Sequence, residues 1–375
     1  MPSPAANSLG QHFAEVTDPR NEHNIRHSLL NIMTIAICGV IGGADNWVDI
    51  EMFGNAKLSW FKTFLDLPHG VPSHDTFGRV FRHIDPEAFQ ASFQRWTQTI
   101  YERTKGEVMA VDGKTLRRSR DVTLGKDAIQ MVSVWASQNN LVLAQDKIEE
   151  TTNEITAIPQ LLRLLDLEGC VVTMDAIGCQ TEIAETIMGQ GADYVLAVKD
   201  NQATLRDDVQ AAFEHKRLFN RPDHHKTVNK GHGRIEIREC WAISDPDILA
   251  HINDYKLWKG LHSLVKLTSE RHVDGQISRK TRYFISSLPA DAQRLLHSVR
   301  AHWQIENGLH WVLDMAFRED ESRVRKDHAP QNLAVLRHIA LSLLKQETSL
   351  KVGIKAKRLR AGWDEQYLLK VLRHV

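Results

Sequence analysis

Apolar positions along the chain follow three successive patterns. Up to about residue 105 they recur at the spacing of helices that bury one face. Residues 29–44 are apolar almost throughout, interrupted by Asn31 and Thr34, and predict a buried core helix. The run falls short of the roughly 20 residues that a membrane span needs. Residues 47–65 predict a second helical region with Val48, Ile50, Phe53, Leu58, Trp60, Phe61 and Phe64 inward, ended by Pro68, Gly70 and Pro72. Ser73 is an N-cap for a short helix carrying Phe77, Val80 and Phe81. Asp85-Pro86 then caps and opens a helix to about residue 104. Arg79, Arg82 and His83 on these short helices suit a DNA-reading unit as well as a plain helical subdomain.

From residue 107 the apolar residues close up into short runs of strand type. Val108-Met109-Ala110-Val111 ends in Asp112-Gly113, and residues 129–136 and 141–148 flank the turn Gln138-Asn139-Asn140. Asn153 caps a helix with Ile158, Leu161, Leu162 and Leu165 on one face, closing at Gly169. Val171–Met174 is a buried strand that stops at Asp175, a helix follows over 180–188, and 194–198 gives a fifth strand. Three antiparallel-type strands followed by helix, strand, helix, strand predict an α/β fold: a mixed sheet with helices on both faces. Residues 221–290 form a third, strand-rich pattern with turns at Gly231, Gly233 and Asp274-Gly275, which predicts a β-rich insertion. A long helix from Asp291 to about Met315 returns the chain to the sheet. The chain thus divides into a helical N-terminal domain (1–105), two parts of an α/β domain (106–220 and 291–345), the insertion (221–290) and a basic C-terminal tail (346–375).

Composition changes this picture little. Hydrophobic residues at 42% and charged residues at 25% of 375 are ordinary for a globular chain of two or three folding units. Formal net charge is zero, yet residues 323–360 hold ten Lys/Arg against Asp327 and Glu347, a block suited to phosphate or to a solvated helix face. The four cysteines are scattered without a Cys-x-x-Cys pair, which disfavours a zinc framework or disulfides and fits a reducing cytoplasm. The first 28 residues carry no apolar core of a signal peptide.

The chemistry is concentrated in three acids. Asp112 and Asp175 stand at the carboxyl ends of two apolar strands, the edge where open α/β sheets gather reactive groups. Neighbouring strands would bring their carboxylates close to the roughly 4.8 Å strand spacing, where they repel unless a cation intervenes. Hard oxygen donors favour magnesium or manganese, and two such ions suit phosphodiester chemistry. An aspartate at a strand end is also a common turn or cap residue. On the long helix, His302, Glu306 and His310 recur at four-residue spacing on one face, so Glu306 becomes the third ligand while His302 and His310 reach phosphate. Surface pairing of Glu306 with a histidine, or zinc on His302 and His310, are the other readings of that cluster. Lys114, Arg117 and Arg118 follow Asp112 and suit a backbone clamp or a solvated basic turn. Lys199, Asn201 and Gln202 end the fifth strand at the same edge and suit an approach to substrate, and Arg323, Arg325 and Lys326 of the basic block suit DNA contact.

Several ordered blocks carry a family resemblance. They are Ala110-Val111-Asp112-Gly113-Lys114-Thr115-Leu116-Arg117, Asn153-Glu154-Ile155-Thr156-Ala157-Ile158-Pro159, Asp175-Ala176-Ile177-Gly178-Cys179-Gln180, and the stretch from His302-Trp303 to Leu313-Asp314. With Asp18-Pro19-Arg20 and Gly70-Val71-Pro72-Ser73-His74-Asp75-Thr76, the chain resembles the H-repeat-associated insertion-sequence transposases of the DDE class over nearly its whole length. The resemblance implies an RNase H-like catalytic fold, a catalytic triad at Asp112, Asp175 and Glu306, and two magnesium or manganese ions. It further implies double-stranded DNA as partner (element ends and target), a homodimer on DNA, no membrane, and a bacterial cytoplasmic, nucleoid-associated setting. Val299, His302 and Leu313 stand where the wider class often carries tyrosine, arginine and lysine, so those roles do not transfer, and Asp314 stands as an alternative to Glu306. Hydrolysis at the element ends followed by attack of the freed 3′-hydroxyl is the implied reaction. A nuclease without strand transfer and an inactive DNA-binding remnant are the alternatives.

Overall fold

A computed structural model describes residues 12–13, 15–21, 23, 25–101, 106–120, 127–148, 153–214, 222–231 and 233–373. Its centre is one nine-stranded sheet: β1 Val108–Thr115, β2 Gln130–Ala136, β3 Leu141–Ile148, β4 Val171–Met174, β5 Asp193–Val198, β6 Asp223–Gly231, β7 Arg234–Ile243, β8 Ser263–Val273 and β9 Gln276–Ser286. The order is β3-β2-β1-β4-β5-β9-β8-β7-β6. β1, β2 and β3 form an antiparallel meander, while β4 pairs parallel to β1, and β5 parallel to β4. This is the RNase H-like mixed sheet that the resemblance implies. The insertion does not stand apart: β9 pairs with β5 over Tyr283–Val198 to Ser286–Val195, so β6–β9 prolong the same sheet. Its outermost strand was not legible as a strand, because β6 reads Asp-His-His-Lys-Thr-Val-Asn-Lys-Gly and lies exposed along most of its length.

The N-terminal helices are α1 Leu29–Ile41, α2 Trp47–Ala56, α3 His74–His83 and α4 Pro86–Ile100. Local chemistry sets their starts: Ser73 Oγ accepts from Thr76 N–H, and Asp85 Oδ1 accepts from Glu87 N–H ahead of Pro86. On one side of the sheet lie α5 Glu154–Arg163, α6 Thr181–Gly189 and α7 Ala203–Glu214. On the other lie α8 Ala292–Ile305, α9 Trp311–Phe317 and α10 Ala329–Gln346, followed by α11 Ile354–Trp363 and α12 Glu365–Leu372. α1 and α10 are buried almost all round, and they pack on each other in a core shared with Trp135, Val142, Leu309, Leu368 and Val371.

The residues after 345 are therefore no free tail. Of the ten Lys/Arg counted in 323–360, Arg337, Lys357 and Arg358 are buried. Arg358 donates to the carbonyls of Val40 and Ala44 and to Asp45, and Lys357 Nζ donates to the carbonyl of Leu344. Capping helix carbonyls takes these cations out of the proposed phosphate surface. No helix among the described residues is long and apolar enough to cross a membrane.

Candidate active site

Strand register brings the first two acids together. The parallel β1–β4 ladder ends at Val111 opposite Met174, so the next residues on the two strands are Asp112 and Asp175. β1 itself runs on to Thr115, paired with β2 alone, and Asp112 lies within it opposite Ser133. Asp175 caps the turn Ala176–Gly178, its Oδ1 accepting from Ile177 N–H at 3.0 Å. Asn201 and Gln202 do not reach outward as substrate groups. Their amides brace this turn by donating to the carbonyls of Ala176 (2.6 Å) and Cys179 (3.0 Å).

α8 lies over β1 and β4, and its regular winding stops at Ile305. Residues Glu306–His310 form a π-helical turn before α9, where an unbroken helix was expected. The wider turn moves the downstream residues off the four-residue face, and such turns often occur at functional sites. Glu306 is exposed, whereas His310 is buried with Nε2 3.3 Å from Asp112 Oδ2. His302 Nδ1 lies 3.2 Å from the Thr173 hydroxyl, and burial outweighs the nearby Asp112, Asp175 and Glu306 charges to hold its pKa below the usual value. The expectation that His310 contacts DNA fails on this burial. Trp303 and Met315, on the same stretch, are 40% and 57% exposed.

Asp112, Asp175, His302 and Glu306 line one cleft of about 570 Å³, with Lys199, Arg206, Lys280 and Arg282 on its wall. A fourth carboxylate approaches from the sheet's other face. Glu154, in the first turn of α5, sits where a Cβ on Gly113 would collide with it, so the glycine makes its room. Burial and the neighbouring Asp175 and Asp112 charges raise its pKa. Glu154 was visible in the sequence only inside a family block, with no spacing signal of its own.

Lys114 has a different occupation from the expected clamp. Only 11% of its side chain is exposed, and Nζ bonds Asp314 Oδ1 (2.5 Å) and Glu319 Oε2 (2.9 Å). Burial opposes its charge, but Glu319 and Asp314 more than compensate and raise its pKa. That pairing also holds Asp314 away from the role of alternative to Glu306. Arg117, Arg118, Arg323, Arg325 and Lys326 remain exposed, and Arg325 Nε donates to the Arg118 carbonyl at 2.9 Å, joining two basic stretches far apart in sequence.

A model described as "Transposase DDE domain" matches residues 103–343, and one described as "DDE_Tnp_1-associated" matches residues 10–97. The chain belongs to the DDE transposase family. "Putative transposase YncI" of Escherichia coli O157:H7 is 40% identical over 370 residues, 97% of this chain and 94% of that one. "H repeat-associated putative transposase YhhI" of Escherichia coli K12 is 38% identical over 371 residues, 97% of each. Among solved structures, a piggyBac transposase synaptic complex with hairpin DNA aligns with a TM-score of 0.46 and 11% identity, over 98% of this chain and 80% of that one.

Among the described residues, no three His, Cys, Asp or Glu side chains stand close enough to enclose a metal ion. The donor chemistry still suits a hard divalent cation. Carboxylates from four elements border one region, and the ion-pair partner of Asp112 among the described residues is His310. Among the described residues no lysine or arginine forms an ion pair with Asp112 or Asp175, which leaves their repulsion for a cation to relieve.

Proposed function

We propose that this DDE-family protein is an insertion-sequence transposase that cuts DNA at the element ends and joins the freed 3′-hydroxyl to target DNA. The observation that carries the reading is the register that sets Asp112 beside Asp175 in a cleft also lined by Glu306. Asp112 and Asp175 would hold two magnesium or manganese ions, with Glu306 completing their coordination from the π-helical turn. Bound there, the ions supply Lewis acidity to the attacking and leaving oxygens. His310 orients Asp112, and the Thr173 hydroxyl fixes the His302 ring against the cleft. Lys199 and Arg282 take up charge on the scissile phosphate, and the exposed group Arg117, Arg118, Arg323, Arg325 and Lys326 grips flanking backbone. Two copies pair two element ends as a homodimer on DNA.

The test is incubation of wild-type protein with magnesium, an element-end duplex and a plasmid. Joined product is expected from wild type and not from Asp112→Asn. Cleaved DNA without joining would reassign the protein as a nuclease, and DNA binding with no cutting would make it an inactive remnant.

A further inference from the structure

The prolonged sheet has two faces of unlike character. Along a strand, alternate residues share a face, and the register fixes which residues share it across strands. Arg238, Ser269 and Lys280 lie in line, as do Glu236, Arg271 and Ser278. Towards the sheet centre this face is covered by α8, through Cys240, Leu267, Phe284, Leu295 and Val299. Beyond the last turn of α8 it is open and forms a cleft of about 420 Å³.

On this face the open part holds Arg234, Arg238, Arg271, Lys280 and Arg282 against Glu236; Glu270 also borders the cleft but alternates to the reverse face, where His272 and Arg279 pair with it. Five cations less one carboxylate leave four positive charges. Glu236 is shared by three arginines: it pairs with Arg238, lies 3.3 Å from Arg234 Nε and 3.9 Å from Arg271 Nε. Its charge cannot satisfy them all. On the reverse face the acids are matched locally, Glu239 by Lys226 at 2.7 Å and Glu270 by Arg279 at 2.5 Å.

The charged face runs into the catalytic cleft. Lys280, Arg282 and Trp303 line both cavities, and the Arg282 guanidinium sits 4.8 Å over the Trp303 ring at their junction. From Arg282 to Gln276 the strand spans roughly 20 Å, the axial length of about six phosphates on one DNA strand.

We infer that the α8-side face of β7–β9 is a backbone-binding track for duplex DNA, which carries the DNA on from the cleft and contributes affinity without reading sequence. The inference rests on the transposase reading and names a substrate surface outside the acidic site. Phosphate contacts by cations of this kind position DNA and make affinity salt-dependent.

The experiment is metal-free binding of the full-length protein to a fluorescein-labelled duplex containing an element end and its flanking DNA, over a salt series. Arg234→Ala/Arg271→Ala/Lys280→Ala is expected to lose roughly tenfold or more in affinity and to flatten the log–log salt slope by about three, near one per cation. Lys280→Glu alone should weaken binding further than Lys280→Ala. Lys226→Ala/Lys230→Ala/Arg279→Ala removes the same charge from the reverse face and should change neither. Equal losses from both triple variants, or an unchanged slope in the first with its thermal unfolding intact, overturn the track. If wild type binds the duplex and the first triple variant binds it as tightly, only the track is lost. If wild type binds no duplex, the track and the DNA reading fall together.

Discussion

At the residue scale, the site depends on what is missing at position 113. A side chain there would drive Glu154 from beside Asp112 and Asp175. Gly113→Ala should therefore couple to Glu154→Ala in a double-mutant cycle read by urea unfolding, with an interaction of about 0.5 kcal/mol or more. Additive effects would show that the two positions do not compete for space. A second prediction concerns His338, buried in α10 beside Glu319, His310, Lys114 and Arg337. Burial lowers its pKa from 6.5 to about 4, so the folded protein resists a proton that the unfolded chain accepts. Stability contributed by keeping His338 neutral is complete above pH 6.5 and falls as pH drops towards about 4. The loss is on the order of 3 kcal/mol. In a denaturant series across that pH window, His338→Asn should flatten the slope; an unchanged slope would place the titration elsewhere.

At the element scale, β1 ties the cleft to the helical core. Its alternate residues Asp112 and Lys114 share a face, the first meeting His310 and the second Asp314, Glu319 and the His310 carbonyl. Glu319 is 2% exposed and lies between Lys114 and Arg337. Burial raises its pKa, and the two cations with His338 more than reverse that, leaving it ionised. Glu319→Ala would leave Arg337 buried without its carboxylate and Lys114 with Asp314 alone, and a loss of about 3–5 kcal/mol in unfolding free energy is expected. A loss below about 1 kcal/mol would mean that water reaches them.

Legibility in the sequence divides along the same line. Elements whose signal is local were readable: the cap at Asn153, the Asp85-Pro86 start, the hairpin at 138–140, and the apolar strands that end near Asp112 and Asp175. The π-helical turn was not, because Glu306–His310 continues an ordinary helical pattern and only tertiary packing widens it. The engagement of Lys114 was equally hidden, since its partners lie 200 residues away and more along the chain. The basic count over 323–360 misled for a related reason: composition does not distinguish a solvated arginine from one that caps buried carbonyls, as Arg358 does.

At the scale of the whole molecule, the two chain ends share one core. Arg358 joins α11 to α1 and the loop after it through Val40, Ala44 and Asp45, while Ala361, Leu368 and Val371 pack in the same cluster as Ile32 and Ile35. Ending the chain at residue 345 should then unfold the helical layer and lower the melting temperature. A stable, fully folded truncated protein would contradict this. Arg358→Met should cost about 3 kcal/mol or more by leaving Asp45 without its cation. The same layer carries α10, so its loss would also loosen the support beneath His310 and Asp112.

The most direct test of the account is titration of manganese onto the DNA-bound protein, read by electron paramagnetic resonance. Wild type should bind two ions, and Asp112→Asn, Asp175→Asn and Glu306→Gln should each lose at least one while still holding DNA. Full manganese occupancy in all three variants would contradict the proposal that these acids form one metal centre.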